Sequence, residues 1–371
     1  MNVIEDRKIL GKELNIVGIV GKNGKSTIGQ IIHHCYTALE IHSKLETVEN
    51  LNEIFAESYE KKVKDVIIEV CLCAIKGKKA SYIDFDSLIF TNSGKNIDAD
   101  ERWTMRRPFI ALPLNKTAII NIDDEHGTDF CDVTVAKTIT YALNKSADIN
   151  ARNIKLSIDK TRFDLYYKGN FMCKTEMPYF GIYNIYNALA AIAHLISIGY
   201  DPAKVAPLLS NLPQIEGRFD TFTTSTGIKV VVDHARTSAA VDAVLKSLAA
   251  VYQGNIITVI GADGNTNTAE RTAVGKSALA HSKQVIFTTD NPRLEEPQGI
   301  IYDIIKGNIK QNYRICIDRE KAIEIALKMA DPKDVVILLG KGHKKTQTIG
   351  EKTSAFCDKT TAVYLAQKFE I

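Results

Sequence analysis

The chain has 371 residues, of which 45% are hydrophobic and 25% are charged. This length predicts two domains, or three small ones, and so ordinary a composition excludes disorder over most of the chain. The 47 basic and 44 acidic residues leave a formal net charge of +3, which gives no reason to expect nucleic acid or an anionic membrane as a partner. No apolar run approaches the roughly 18 residues that span a bilayer. The N-terminus (MNVIEDRKILGKEL) lacks the pattern of a signal peptide, so we expect a cytoplasmic protein.

Seven cysteines are scattered along the chain. An odd number without an export signal is typical of reduced cytosolic thiols. Cys71 and Cys73 form one C-x-C pair, and no second pair or nearby histidine completes a metal site. We therefore expect these two residues to be ordinary cysteines.

The first part of the chain predicts a parallel α/β sheet. Residues 14–20 (LNIVGIV) are apolar, rich in β-branched side chains and followed at once by glycines, which is typical of a buried strand. A helical pattern (IGQIIHHCYTALEI) comes after GKNGKST. Short strands that alternate with helices indicate parallel pairing. Three more buried strands are expected at residues 66–70, 87–90 and 118–122.

The pattern then changes to alternation, which predicts an antiparallel hairpin that turns at residues 168–170. A long helix is expected at residues 183–198. Pro213 and Gly217 interrupt the helical pattern, so a domain boundary is expected within residues 212–218. Beyond it the α/β alternation restarts and predicts a second open parallel sheet. The strands expected there are residues 229–232, 256–260, 284–288 and 335–339, and the helices are residues 241–251, 271–281 and 319–330.

The most informative stretch runs from Gly21 to Thr27 (GKNGKST). A phosphate chain needs inward-facing backbone N–H groups and a helix N-terminus, and glycine allows both the tight turn and the close approach. In such a loop Lys25 reaches the terminal phosphates and the Ser26 hydroxyl binds Mg²⁺. The strict pattern asks for glycine at the position of Ile19. The placement after a buried strand and before a helix nevertheless favours a phosphate loop over a solvated glycine turn.

This loop resembles the shortened phosphate loop of the Mur ligases, and further motifs of that family follow in the same order. Together they resemble the UDP-N-acetylmuramoyl-tripeptide synthetases, the MurE type, from about Leu14 to the C-terminus. The DNPR and GKGH motifs are the most specific of the series. The motifs are FTN (90–92), NIDDEHG (121–127), GIYNIYNALAAIA (181–193), EGRFD (216–220), VVDHARTSAAVDAVL (231–245), TDNPRLEEP (289–297), DREKAI (318–323) and GKGHKKTQ (340–347).

The resemblance implies an ATP-dependent, ADP-forming amide ligase of the kind that acts in peptidoglycan biosynthesis, with ATP and Mg²⁺ as cofactors. Such enzymes phosphorylate a carboxylate to an acyl phosphate, which an amine then attacks. The chemistry has a clear physical need, because a carboxylate is a poor electrophile and phosphorylation supplies the leaving group. The expected partners are a small-molecule carboxylate and an amino acid. The implied architecture is a mostly parallel, P-loop-containing ATP-binding domain at residues 1–216 and a smaller, doubly wound α/β domain at residues 217–371.

The resemblance also assigns roles to single residues, with Lys25, Glu69 and Arg218 as the catalytic ones. Glu69 and Ser26 are implied to bind magnesium. The residues implied to bind ATP are Gly21, Asn23, Gly24, Lys25, Ser26, Thr27, Asn184, Asn187, Arg218 and Asp233. Those implied on the substrate side are Asp290, Asn291, Arg293, Lys341 and His343.

Taken singly, several of these residues also fit ordinary structural roles. Glu69 fits a solvent-facing glutamate at a strand end. Asn184 fits a residue that caps or solvates a helix start. Residues 290–293 fit an Asn-Pro turn with a surface arginine.

The chain departs from the family pattern after the FTN motif. The family has an Asp-His-Leu-Asp segment there and, further on, a lysine modified by CO₂ that helps to bind magnesium. Here the sequence is SGKNIDADERWTMRRPF, with no histidine and no lysine between Lys95 and Lys116. A second magnesium site is therefore in question. The candidate oxygen ligands at such a site are Asp98 and Asp100. The candidate replacement for the missing charge is Arg106 or Arg107.

A second departure concerns the amine. The glutamate that follows GKGH in MurE-type enzymes, where it helps to bind the amino acid's amine, is Lys344 here. A cation at this position repels a cationic end group. We therefore predict that diaminopimelate and lysine are not the amine, and that an acidic or neutral amino acid is.

The third departure is at the N-terminus, where the phosphate loop begins at residue 21. The N-terminal domain that holds the UDP-sugar in MurE-type enzymes is therefore expected to be absent. Either the acid lacks a UDP group, or a partner protein supplies its recognition. Two other functions stay open: a folylpolyglutamate-synthase-like or cofactor-amidating ligase, and a catalytically lapsed ATP-binding regulatory protein.

Overall fold

The computed structural model describes residues 14–48, 63–94, 97–308 and 311–371. The chain divides into two compact units, of which the first ends at Pro213 and the second begins at Gln214. Within the described residues no helix is both long and apolar enough to cross a membrane.

The first unit is built on a mostly parallel sheet. Within its described residues the strand order is β2-β3-β1-β4-β5-β6-β7-β8-β9, and only the last two pairings are antiparallel. The central strands are apolar throughout because helices cover both faces of such a sheet. The strands are β1 (Asn15–Val20), β2 (Ser43–Thr47), β3 (Asp65–Val70), β4 (Ser87–Phe90), β5 (Thr117–Asn121), β6 (Lys137–Ala142), β7 (Ile149–Ser157), β8 (Lys160–Tyr167) and β9 (Asn170–Met177).

Two long helices of this unit, α1 and α5, pack against each other. Helix α5 is buried along most of its length, which explains its almost unbroken apolar sequence. The helices are α1 (Lys25–Ala38), α2 (Leu72–Lys76), α3 (Ala99–Ile110), α4 (Gly127–Val133), α5 (Ile182–Ser197) and α6 (Pro202–Val205), with 3₁₀ turns at Lys79–Tyr82 and Ala206–Asn211.

The second unit has its own α/β sheet with the strand order β10-β11-β15-β12-β13-β14, in which only the β10–β11 pair is antiparallel. A separate antiparallel hairpin joins β16 and β17. The strands are β10 (Asp220–Thr223), β11 (Lys229–Asp233), β12 (Ile256–Ile260), β13 (Gln284–Phe287), β14 (Tyr313–Ile315), β15 (Val335–Leu339), β16 (Thr346–Ile349) and β17 (Lys352–Ala355). The helices are α7 (Ser238–Val251), α8 (Thr268–His281), α9 (Pro297–Ile305), α10 (Arg319–Met329) and α11 (Asp358–Lys368).

The predicted strands and helices of both units are confirmed, with small shifts at their ends. Helices α7 and α8 begin earlier than predicted, because the side chains of Thr237 and Asn267 accept hydrogen bonds from the backbone N–H groups of Ala240 and Ala269. Such N-caps extend a helix beyond its apolar pattern. The predicted hairpin is β8–β9, and a third strand, β7, pairs with it.

The cysteine prediction is wrong for one pair. Cys71 and Cys73 form a disulfide at the turn between β3 and α2. The turn brings their Cα atoms to 5.4 Å, a separation that a disulfide bridges without backbone movement. The remaining five cysteines are free thiols.

A buried histidine connects the elements that carry the phosphate loop. His194 Nε2 lies 2.6 Å from the Tyr36 hydroxyl oxygen, and its Nδ1 lies 3.0 Å from Ser87 Oγ. Burial lowers the pKa of His194 from 6.5 to about 4. The imidazole is therefore neutral in the folded chain at neutral pH.

This pKa predicts acid-labile stability of the first unit. Between pH 6.5 and pH 4, His194 takes up a proton in the unfolded chain but not in the folded chain. The free energy of unfolding is therefore highest above pH 6.5 and falls as the pH falls toward 4. The loss is about 1.4 kcal/mol per pH unit and about 3 kcal/mol in all. Urea unfolding at pH 7.5, 6 and 5, followed by the fluorescence of the single tryptophan, Trp103, measures this. The variant His194→Gln serves as the control, because it cannot titrate. An equally steep loss in this variant contradicts the assignment.

Candidate active site

The phosphate loop joins β1 to α1 at the carboxyl edge of the first sheet. Gly24 has φ +90°, and a side chain there would collide with the Asn187 amide. Only glycine combines this conformation with so close a neighbour. The loop is thereby packed against α5, and the N-terminus of α1, which favours an anion, follows it directly.

The FTN motif holds the phosphate loop from the neighbouring strand β4. Thr91 Oγ1 donates to the Asn23 carbonyl at 2.7 Å, and Asn92 Nδ2 donates to the same oxygen at 3.0 Å. The Asn92 amide oxygen accepts from the Asn23 backbone N–H at 3.2 Å. This explains why threonine and asparagine follow β4, a role that sequence reasoning did not assign.

Lys25 and Ser26 open α1 directly after this loop. Lys25 Nζ donates to the carbonyls of Gly21 (2.6 Å) and Lys22 (3.3 Å), so the ammonium lies over the loop. Thr27 is buried at the next position. The lysine therefore lies where a helix N-terminus and loop amides favour an anion.

Ser26 Oγ donates to Glu69 Oε2 at 2.8 Å. Glu69 lies in β3, next to β1 in the sheet, and both of its neighbours in the strand are buried. Hydroxyl and carboxylate oxygens are the donors that Mg²⁺ prefers, and Mg²⁺ commonly takes few protein ligands beside phosphate and water. Within the described residues no group of three or more His, Cys, Asp or Glu side chains could hold a metal. The Ser26–Glu69 pair fits a magnesium ion whose other ligands are phosphate oxygens and water.

Asn184 and Asn187 lie on the face of α5 that meets the loop. Both side chains are buried, with Asn187 Nδ2 donating to Asn184 Oδ1 at 2.9 Å. Asn184 Nδ2 donates in turn to the Phe180 carbonyl at 2.8 Å. These two hydrogen bonds connect Asn187 through Asn184 to the backbone and hold the Asn187 side chain against the phosphate loop.

The residues considered for a second magnesium site have other partners or are exposed. Asp98 caps α3 by accepting from the Glu101 backbone N–H at 2.7 Å, and Arg106 pairs with Asp129. Arg107 and Asp100 are exposed. Lys95 lies outside the described residues.

The second motif of this edge, NIDDEHG, contributes two carboxylates. Asp124 accepts from both the backbone N–H and the hydroxyl of Ser93, at 2.9 Å each, and so fixes the chain after the FTN motif. Burial alone would raise the pKa of Asp123, but hydrogen bonds from three backbone N–H groups and the Tyr186 hydroxyl lower it overall.

In the second unit the predicted residues follow four parallel strands at one edge of the sheet. Asp233 ends β11, and the loops after β12, β13 and β15 begin at residues 261, 288 and 340. Because carboxyl ends of parallel strands meet at one edge, this is where binding loops of such sheets gather.

Arg218 lies on a segment that is clamped at this edge. Asp233 accepts from the backbone N–H of Phe219 and of Ala235, at 2.7 Å each. Gly217 has φ +66°, and a side chain there would collide with the His343 backbone. Burial raises the pKa of Asp233, and the nearby Arg218 acts in the opposite direction. Asp233 therefore positions the Arg218 segment from within the protein.

The rings of two histidines lie near each other at this edge of the sheet. The rings of His234 and His343 lie 5.2 Å apart between centroids. Burial, assisted by Arg218, lowers the pKa of His234 to about 3 and lowers that of His343. Both rings are neutral at physiological pH.

The DNPR and GKGH loops are joined by a buried lysine. Lys341, with no exposed side-chain surface, donates to Asp290 Oδ1 and to Asn291 Oδ1 at 3.2 Å each. The same Asn291 oxygen accepts from the Thr348 backbone N–H at 3.0 Å. These three predicted substrate-side residues are therefore partners of one another inside the protein.

Arg293, by contrast, is exposed. Its backbone has φ +56° and is held by β16, with its N–H donating to Thr348 O at 3.2 Å and its carbonyl accepting from Gly350 N at 2.6 Å. Within the described residues its guanidinium makes no hydrogen bond or ion pair. A rigid backbone with an open guanidinium suits bidentate binding of a carboxylate.

Sequence reasoning missed a second buried ion pair behind this edge. Arg319 donates two hydrogen bonds of 2.7 Å to the Asp358 carboxylate and one of 3.0 Å to the Leu339 carbonyl. Neither side chain is exposed. The DREKAI motif was the sequence feature that could have indicated this ion pair. It places Arg319 at the start of α10, and Arg319 is buried there.

Comparisons with known proteins agree in both units. Residues 104–195 match the Mur ligase middle domain, and residues 217–342 match the glutamate ligase domain of Mur ligases. The UDP-N-acetylmuramoyl-L-alanyl-D-glutamate–2,6-diaminopimelate ligase 1 of Clostridium acetobutylicum is 32% identical over 372 residues, which cover 94% of this chain and 77% of the relative. The corresponding ligase of Parabacteroides distasonis is 32% identical with the same coverage.

Solved structures share the fold. A diaminopimelate ligase of the same name is 22% identical with a TM-score of 0.66, and covers 98% of this chain and 82% of its own. The Mycobacterium tuberculosis folylpolyglutamate synthase, solved with ADP, is 14% identical with a TM-score of 0.75, and covers 91% of this chain and 90% of its own.

Proposed function

The chain belongs to the Mur ligase family of ATP-dependent ligases, and from this premise we propose that it joins a carboxylate to the amine of an amino acid through an acyl phosphate. The observation that carries the proposal is the pairing of Ser26 with Glu69 at 2.8 Å, beside Lys25 and the start of α1. Together they supply the cation, the metal ligands and the helix N-terminus that phosphoryl transfer needs.

In the proposed reaction a carboxylate oxygen attacks the γ-phosphorus of ATP, and the bond to the β-phosphate oxygen breaks, so ADP leaves. The amine nitrogen then attacks the acyl carbon and loses a proton, while the carbon–oxygen bond breaks and inorganic phosphate leaves. Lys25 neutralises the charge on the transferred group. Ser26 and Glu69 would hold magnesium, which would supply neutralisation of the phosphate charge.

The remaining site residues divide between the two units. We propose an ATP-binding domain at residues 1–216, in which Gly21, Asn23, Gly24 and Thr27 shape the phosphate loop, and Asn184 and Asn187 border it. In the amine-binding domain, residues 217–371, the role proposed for Arg218 is to contact ATP. Asp233 supports Arg218, as its hydrogen bonds to the neighbouring backbone suggest.

On the substrate side, Arg293 is proposed to bind a carboxylate of the amino acid. Asp290, Asn291 and Lys341 position Arg293 through β16, and His343 borders the same edge as a neutral ring. The proposed acid is a UDP-N-acetylmuramoyl dipeptide, the substrate for which the relatives are named. For this acid we propose that a partner protein supplies the recognition; the alternative is an acid without a UDP group.

Release of ADP and phosphate that depends on both an acid and an amino acid tests this function. UDP-N-acetylmuramoyl-L-alanyl-D-glutamate serves as the acid, with a panel of amino acids and Mg-ATP. A new amide mass together with ADP supports the ligase. Nucleotide binding without turnover for any pair favours a lapsed, regulatory protein instead.

A further inference from the structure

We propose that the amine substrate is an acidic amino acid, bound by a cationic group that consists of Arg236, Lys344 and Arg293. The inference rests on the proposed ligase function and names its substrate class. Both carboxylates of such an amino acid meet positive charge at this edge of the second unit.

Two of the three cations converge on one carboxylate. Lys344 Nζ lies 3.0 Å from Asp263 Oδ2, and Arg236 Nη1 lies 3.4 Å from the same oxygen. Asp263 is largely buried, whereas about half of the Arg236 side chain and a quarter of the Lys344 side chain are exposed. One carboxylate therefore orders two cations that still face solvent.

The third cation lies next to Asp263. Gly264 donates its backbone N–H to the Asn291 carbonyl at 2.8 Å, and Arg293 Cβ lies 3.4 Å from the position of a Gly264 side chain. The loop that carries Asp263 is thus packed against the loop that carries Arg293. Arg236 and Lys344 therefore contact Asp263, and the side chain of Arg293 begins beside the next residue, Gly264.

The charges of this group do not balance. Three positive side chains and the single carboxylate of Asp263 leave a surplus of +2. The neighbouring rings of His234 and His343 are neutral because their pKa values are lowered. Glu295 and Asp303 share the single cation of Arg271, so this neighbouring trio contributes −1 and the net surplus of the edge is +1. The surplus is therefore open to a ligand.

The surplus discriminates between amino acids by charge. An acidic amino acid carries two carboxylates and one ammonium, and its net charge of −1 matches the surplus. Diaminopimelate also has two carboxylates, but it shares with lysine a second ammonium, which would lie against Lys344 or Arg236 and be repelled. Neutral amino acids carry one carboxylate and one ammonium and leave the surplus unmatched.

The experiment compares binding and turnover in the full chain. L-Glutamate, D-glutamate, L-aspartate, L-alanine, L-lysine and meso-diaminopimelate are titrated by thermal shift with an ATP analogue, and ADP release is measured with the acid named above. We expect a glutamate or aspartate to bind at least tenfold more tightly than lysine or diaminopimelate. Lys344→Glu should remove this preference. Lys283→Glu, the same charge change before β13 at the opposite edge of the sheet, should leave both affinities within twofold.

Each outcome bears on one of the two proposals. A preference for lysine or diaminopimelate, or no saturable binding of any acidic amino acid, overturns the inference and leaves the ligase function intact if ADP release occurs. A preference for an acidic amino acid that is lost in Lys344→Glu supports the inference, and one that this variant keeps overturns it. If no amide is formed with any of these amino acids, the ligase function fails and the acidic site stands.

Discussion

Replacement of Lys25 by alanine should lower kcat for ADP formation roughly 1,000-fold, the scale seen when a cation is removed from a phosphoryl-transfer site. The side chain donates to two carbonyls of its own loop, at 2.6 and 3.3 Å. Its loss should therefore reduce the free energy of unfolding by less than about 1 kcal/mol. Steady-state kinetics and urea unfolding of the variant measure the two quantities.

Lys22→Ala is the matched control, because Lys22 lies in the same loop but is exposed and pairs with Glu101 at 3.4 Å. Its kcat should stay within about threefold of the wild type, as expected for a surface ion pair. Equal losses in both variants would contradict a specific role for Lys25. So would a Lys25→Ala enzyme with wild-type kcat.

Replacement of Arg319 by methionine should destabilise the second unit by about 3–5 kcal/mol. The reason is that Asp358, fully buried, loses both hydrogen bonds of 2.7 Å and keeps its charge. Urea unfolding followed by circular dichroism measures the loss. Trp103 fluorescence, which reports on the first unit, should change little.

The double variant Arg319→Met/Asp358→Leu separates lost packing from a stranded charge. It should regain most of the stability, because a buried pair can be replaced by apolar side chains at little net loss. Lys345→Met, which breaks an exposed pair with Glu216, should cost about 0.5 kcal/mol or less. A loss below about 1 kcal/mol in Arg319→Met would show that Asp358 finds another partner or a proton.

The frame of the fold was predictable because its strands are short apolar runs between glycines and helices. Strand β7 was harder to predict, because a bulge between Arg152 and Lys155 interrupts its alternation. Helix α3 contains Pro108 and many charged residues, so it lacks an apolar stripe. The disulfide of Cys71 and Cys73 depends on a turn that sequence spacing does not reveal.

The residues of the candidate site also differ in how much of their role the sequence alone predicts. Loop chemistry predicts the roles of Lys25 and Ser26, and the family resemblance predicts that of Glu69; these roles stay predictions. Sequence alone could not tell that Lys341 is buried against Asp290, since a lysine in a glycine-rich loop is normally exposed. Nor could it show that Asp263 gathers Arg236 and Lys344 from different loops, because such convergence is a property of the sheet edge.

Transfer of a carboxylate oxygen to phosphate tests the central claim most directly. UDP-N-acetylmuramoyl-L-alanyl-D-glutamate, labelled with ¹⁸O in its glutamate carboxylates, is incubated with the enzyme, Mg-ATP and the amino acid that gives the highest rate. Because the acyl phosphate releases phosphate by cleavage of the carbon–oxygen bond, the account predicts ADP and a single ¹⁸O atom in each phosphate formed with amide. Unlabelled phosphate in step with amide, or AMP in place of ADP, would contradict it.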